Sequence, residues 1–181
     1  MVNPRVLAIA TMAVTKLSGI NVDDVEKFLA GTIYGLIQVD DLTKIQTCLK
    51  DAQNLGNEIQ EAVADFEKGD VQDIIAGVTV FGKIFQELPT DLGDCKGMQD
   101  DINRIEQWAQ IFNDPQALVM KLVQNLQANF QGILSDITAI KADFADDDMY
   151  DAGKEVADVM VKALGPVPPA NMYLYWDMDR H

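Results

Sequence analysis

Histidine is nearly absent from this chain, with His181 its only copy, and serine occurs twice, as Ser18 and Ser135. A Ser-His or Cys-His nucleophile pair needs an imidazole held in place by a further group, which a terminal residue does not readily supply. Zinc sites built from Cys and His need about four such ligands, and the chain holds one His and two Cys. With no nucleophile and base pair in view, the sequence predicts a protein that is not an enzyme and carries no cofactor and no metal. Positive charge is scarce too. Fourteen Lys and Arg face 29 Asp and Glu, for a net charge of -15. That balance repels nucleic-acid phosphates and anionic membranes, and the cations are scattered rather than striped, which argues against nucleic acid as a partner. No Asn-x-Ser/Thr glycosylation site occurs. No apolar run approaches the roughly 20 residues of a transmembrane span.

What is present is helical patterning. With 48% hydrophobic residues in 181, the chain is long enough to bury one compact core without a metal. At the N-terminus, Arg5 and the apolar run of residues 6–14 suit either a signal-peptide core, with Thr11 and Ala13 as small residues near a cleavage point, or a first buried helix. Asn21 caps a first regular helix bearing Val25, Phe28, Leu29, Ile33 and Leu36, with Asp23 and Asp24 in its first turn. A long second helix carries Leu42, Ile45, Leu49, Ala52, Leu55, Ile59, Val63 and Phe66, and ends at Gly69. A third follows Asp70 and stops at Pro89. A fourth holds Ile102, Ile105, Trp108, Ala109 and Phe112, with Trp108 read as core. Asp114 caps a fifth that Pro115 opens, running through Leu118, Leu122, Val123, Leu126, Phe130, Ile133, Ile137, Ile140 and Phe144. The sixth spans about residues 150–164 and ends at Gly165 and Pro166.

Two stretches, "ADFEKGD" from Ala64 and "ADFADDD" from Ala142, open alike 78 positions apart. At that offset Leu42, Ile45, Cys48, Leu55, Ile59 and Phe66 align with Met120, Val123, Leu126, Ile133, Ile137 and Phe144. After a two-residue deletion Gly77 meets Gly153 and Leu88 meets Leu164, each copy ending at proline. The expected fold is therefore all-α: a six-helix bundle from tandem duplication of a three-helix unit, with an extended aromatic C-terminal tail. Its parts are an N-terminal segment of residues 1–20, a bundle of residues 21–165 (repeats 21–95 and 96–165), and a tail of residues 166–181. Glycine inside a helix costs about 1 kcal/mol against alanine, so Gly31, Gly35, Gly77 and Gly82 are expected at close helix crossings.

The acidic run "ADFADDDMYD", with Asp143, Asp146, Asp147, Asp148 and Asp151, lacks the glycine and final glutamate of an EF-hand loop and reads as helix-capping carboxylates. Glu58, Glu61 and Asp65 sit on the polar side of the second helix, and no Glu-x-x-His pair accompanies them. Cys48 and Cys95 read in two ways: a disulfide if the chain is secreted, or two small buried hydrophobes if it is cytosolic. The tail, "PVPPANMYLYWDMDRH", places Met172, Tyr173, Leu174, Tyr175 and Trp176 together. Such a ribbon needs an apolar surface, on its own bundle or on a neighbouring subunit.

"FLAGTIYGL" from Phe28, Cys48, "LPTDLGDC" ending at Cys95, and "FADDDMYDAGKEVADVMVKALG" from Phe144 resemble a group of small, acidic, mostly secreted helical proteins of ciliates and other protists. The resemblance covers residues 25–165. It implies an extracellular protein with a Cys48–Cys95 disulfide, and it implies no activity. The expected function is a non-enzymatic extracellular structural or self-assembly protein, a homo-oligomer whose copies join through their terminal segments into a ring or filament. The other reading is a carrier, with an apolar small molecule such as a lipid or pigment enclosed among the helices.

Overall fold

A computed structural model describes residues 20–169, and among them the chain is entirely helical, with seven α-helices and one 3-10 turn. The helices are α1 (Val22–Ile37), α2 (Leu42–Cys48), α3 (Ala52–Lys68), α4 (Val71–Asp91), α5 (Gln99–Ala109), α6 (Pro115–Ala145) and α7 (Met149–Leu164). The expected helical bundle is present, and most helices start where a capping side chain was expected. Asn21 accepts from the Asp24 amide while Asp24 returns a bond to the Asn21 amide. Asp70, Asp114 and Asp148 each accept from amides of the first turn that follows them.

Two boundaries differ from the sequence reading. The single long second helix is broken into α2 and α3, with Asp51 in the left-handed region at φ 52°, which makes seven helices rather than six. Apolar spacing of three and four continues through Leu49 and Ala52, so periodicity alone does not register the break. Proline at position 89 does not stop α4, which runs on to Asp91. In the last turn a proline forfeits one hydrogen bond without dislodging the rest of the helix. Phe112, assigned to the fourth helix, lies in the 3-10 turn Gln110–Asn113, its ring against Gly82.

Two helix pairs organise the bundle. Helices α3 and α4 form an antiparallel hairpin about Gly69 and Asp70, in which Gly77 faces the Phe66 ring and the Ala62 carbonyl. Helices α6 and α7 are antiparallel as well, since Asn125 donates to the Ala163 carbonyl (2.9 Å) and Asn129 to that of Lys162 (3.1 Å). Helix α1 lies along α7 in a parallel sense: Gly31 meets the Tyr150 carbonyl, and one turn later Gly35 meets Ala157 and Lys154. All four glycines expected at crossings therefore sit at close approaches. Rings join the two pairs, because Phe66 and Phe81 (5.6 Å between centroids), Phe81 and Phe28 (6.0 Å), and Phe28 and Phe144 (6.0 Å) make a continuous chain through the core.

Candidate assembly surface

Cys48 at the end of α2 and Cys95 beyond α4 form a disulfide with Cα atoms 5.2 Å apart. The join is reinforced by Lys50, whose amide donates to the Asp91 carbonyl (3.1 Å) and whose ammonium pairs with Asp94 (2.7 Å). Beside it sits Asp91, a nearly buried carboxylate that neither sequence pattern nor spacing singles out. Burial, then the charges of Glu87, Asp51 and Glu58, push its pKa up to about 6 from an ordinary 3.8. Lys50, at this join, is engaged by Asp94 at 2.7 Å, and Lys83 by Glu58 at 3.2 Å. The folded protein therefore holds this proton more tightly than the unfolded chain does. Below about 3.8 the group is neutral in both states; stability falls as pH rises through the interval to about 6, and above it the penalty is complete. Asp91→Asn is accordingly expected to stabilise the protein by about 1–2 kcal/mol at neutral pH. It should change little at pH 3.5, as urea unfolding at the two pH values will read.

The acidic run near Ala145 behaves as caps. Asp148 opens α7, Asp151 lies in its first turn, and the Asp148 amide donates to the Asp143 carbonyl (2.8 Å). Asp143 is raised by burial first and by Asp151, Asp148 and Asp146 next. Asp65 pairs with Lys68 (2.7 Å) and Glu61 is exposed, as a polar helix face requires. Glu58 departs from that expectation, being largely buried with Oε2 unpartnered. Among the described residues one group of three carboxylates converges: Asp136 on α6 with Glu155 and Asp158 on α7. Lys162 already occupies its inner edge, pairing with Asp136 at 2.5 Å.

The five residues of the aromatic ribbon, Met172 to Trp176, lie outside the described residues, as does the N-terminal segment up to residue 19. The root of the tail is described, and it is held. Trp108, half-buried against Phe85, donates its indole N–H to the Gly165 carbonyl (3.1 Å). Arg104 donates from Nε (3.3 Å) and Nη2 (3.1 Å) to the carbonyl of Pro168, and Val167 is buried. Gly165 also approaches Lys121 of α6.

At this end of the bundle the structure corrects one reading of the sequence. Met120 and Val123, aligned above with the buried face of the second helix, are 65% and 57% exposed, and Val119 is 58% exposed. Val123's counterpart, Ile45, is fully buried, and Met120's, Leu42, is half-buried. The reason is length. Helix α6 has 31 residues and α3 has 17, about 46 Å against 26 Å. Further along α6, Gly69 approaches Leu134, and Lys141 donates to the Glu67 carbonyl, so α3 covers the C-terminal half of this side. The N-terminal turns overhang it. Periodicity marks an apolar stripe but not where its partner ends.

No helix among the described residues is long and apolar enough to cross a membrane. Residues 10–164 match the family described as Secreted protein B-like (SctB-like). No curated protein and no solved structure matches the chain.

Proposed function

This chain belongs to the SctB-like family of secreted proteins, and from that footing we propose that it is a non-enzymatic extracellular structural protein whose copies join through the C-terminal tail. The observation that carries the reading is the fastened root. Two side chains of α5, Trp108 and Arg104, hold Gly165 and Pro168, so the chain is fixed four residues before the ribbon begins. A fixed origin lowers the entropy lost when a strap docks on a neighbour. Repetition of one such contact gives a ring if the rotation closes and a filament if it does not.

The same reading treats the bundle as two related copies, residues 21–95 and 96–165. Local geometry 78 positions apart favours it. Gly69 and Asp147 both have positive φ (76° and 61°), and Asp70 and Asp148 then cap the next helices through the amides of Asp73 and Asp151.

Full-length protein carrying Tyr173→Ser, Tyr175→Ser and Trp176→Ser tests the assembly proposal. Light scattering after size exclusion is expected to show multimers for the parent chain and monomers for the variant. A parent chain that stays monomeric at high concentration defeats the reading.

A further inference from the structure

The tail needs a receptor, and α6 exposes an apolar stripe that has no partner among the described residues. We infer that the face of α6 formed by Val119, Met120 and Val123 is the seat for the aromatic ribbon of a neighbouring copy. The inference rests on the assembly reading above and adds the acceptor to it.

Three observations carry it. First, the stripe is apolar and open: Val119, Met120 and Val123 are each more than half exposed, and beyond the exposed Gln127 the same face carries the half-buried Phe130. Isolated exposed hydrophobics are ordinary, but neighbours on one helix face make a continuous patch. Second, dimensions agree. From Val119 to Phe130 is 11 residues of helix, about 16 Å, and from Met172 to Trp176 in extended form is four residues, about 13 Å between Cα atoms, to which the terminal Trp ring adds. The stripe's edge would receive Tyr and Trp side chains, which bring large apolar area with few torsions to freeze.

Third, the placement of the root favours a neighbour over the chain's own patch. Gly165 lies beside Lys121. Lys121 is two residues from both Val119 and Val123, which on an α-helix is about 200° of rotation. Val119 and Val123 therefore lie on the side of α6 opposite the root, with Met120 at the edge between, about 100° from Lys121. From the held carbonyl of Pro168 to Met172 is four residues, about 13 Å of extended chain. Half the circumference of a helix about 11 Å across is about 17 Å, so Met172 reaches at most the Met120 edge of its own patch, about 10 Å round the helix, and falls short of Val119 and Val123. The N-terminal segment is a poorer occupant. It precedes residue 20 at the start of α1, and because α1 runs parallel to α7 that is the far end of α6.

Complementary variants test the seat. Val119→Asp with Val123→Asp removes the patch and keeps the ribbon; the serine variant of Tyr173, Tyr175 and Trp176 removes the ribbon and keeps the patch. Each alone should sediment as a monomer. Mixed one to one, they should form a dimer and nothing larger, since one ribbon and one patch remain to be matched. Met120→Glu serves as a second patch variant, and far-UV circular dichroism checks folding. If patch variants assemble like the parent while the serine variant does not, the seat is elsewhere and the tail reading stands. If the mixture remains monomeric, this inference is overturned; if the parent chain is itself monomeric, both fall together.

Discussion

Alanine at Gly31 or at Gly153 should each lower stability by about 3 kcal/mol, in spite of alanine's better helix propensity. Both glycines lie where α1 meets α7. A Cβ on Gly31 would collide with the Tyr150 carbonyl, and one on Gly153 with the Phe28 carbonyl and the Thr32 amide. The obstacles are backbone atoms of helices, which cannot rotate away as the end of a lysine can. The two helices must separate, and separation loosens Phe28, Ile33, Val156 and Met160, all fully buried around this crossing. Because either substitution forces the same separation, the double variant should cost well under the sum of the singles. Gly132→Ala is the control. Its Cβ would only touch the Lys162 side chain at 3.4 Å, so propensity should prevail and add up to about 1 kcal/mol. Urea unfolding followed by circular dichroism gives all four values. Wild-type stability for Gly153→Ala would mean that the crossing yields where the backbone geometry says it does not.

Gly31 was legible in the sequence because a helix-interior glycine is unfavourable unless a neighbour needs the space, whereas Gly153 stood out only as the repeat counterpart of Gly77. The caps were legible for a similar reason: a short polar side chain before an apolar run has few other uses than satisfying first-turn amides. Less of the candidate surface could be read. The ribbon of Tyr173, Tyr175 and Trp176 stands out in composition alone. Its proposed seat does not, since Val123 looks the same in sequence whether a partner covers it or not. Knowing that α3 leaves the N-terminal turns of α6 uncovered requires the register of two helices joined through α4, α5 and a 3-10 turn, a long-range quantity. The break at Asp51 escaped for a local reason. Its left-handed backbone suits glycine or asparagine better than aspartate, and the apolar rhythm runs on unbroken across it. Asp91 escaped because a carboxylate near a helix end ordinarily signifies exposure.

Removing the Cys48–Cys95 bridge should have a comparable effect on stability, and one whose location differs. Secreted proteins fold where such bonds persist. This one closes a separation of 47 residues, for which the chain-entropy model gives about 4 kcal/mol, reduced in practice to about 2–4. In a chain of this size about 3 kcal/mol corresponds to roughly 6–12 °C in Tm. The loss should not spread evenly. Helix α2 has seven residues, Ile45 is its one fully buried side chain, and its cap residue Asp41 makes no side-chain bond to the first-turn amides. A helix that short has no independent stability. What holds it is Ile45 in the core, the bridge at Cys48 and, just beyond, the Lys50 amide on Asp91. The bridge thus secures the segment where the helical rhythm is interrupted. Cys48→Ala with Cys95→Ala, or reductant added to the parent chain, should speed hydrogen exchange first at residues 45–50 and leave the α1–α7 crossing protected until global unfolding. Reductant should have no further effect on the double variant. An unchanged Tm on reduction would instead assign the anchoring of α2 to Ile45 and Lys50.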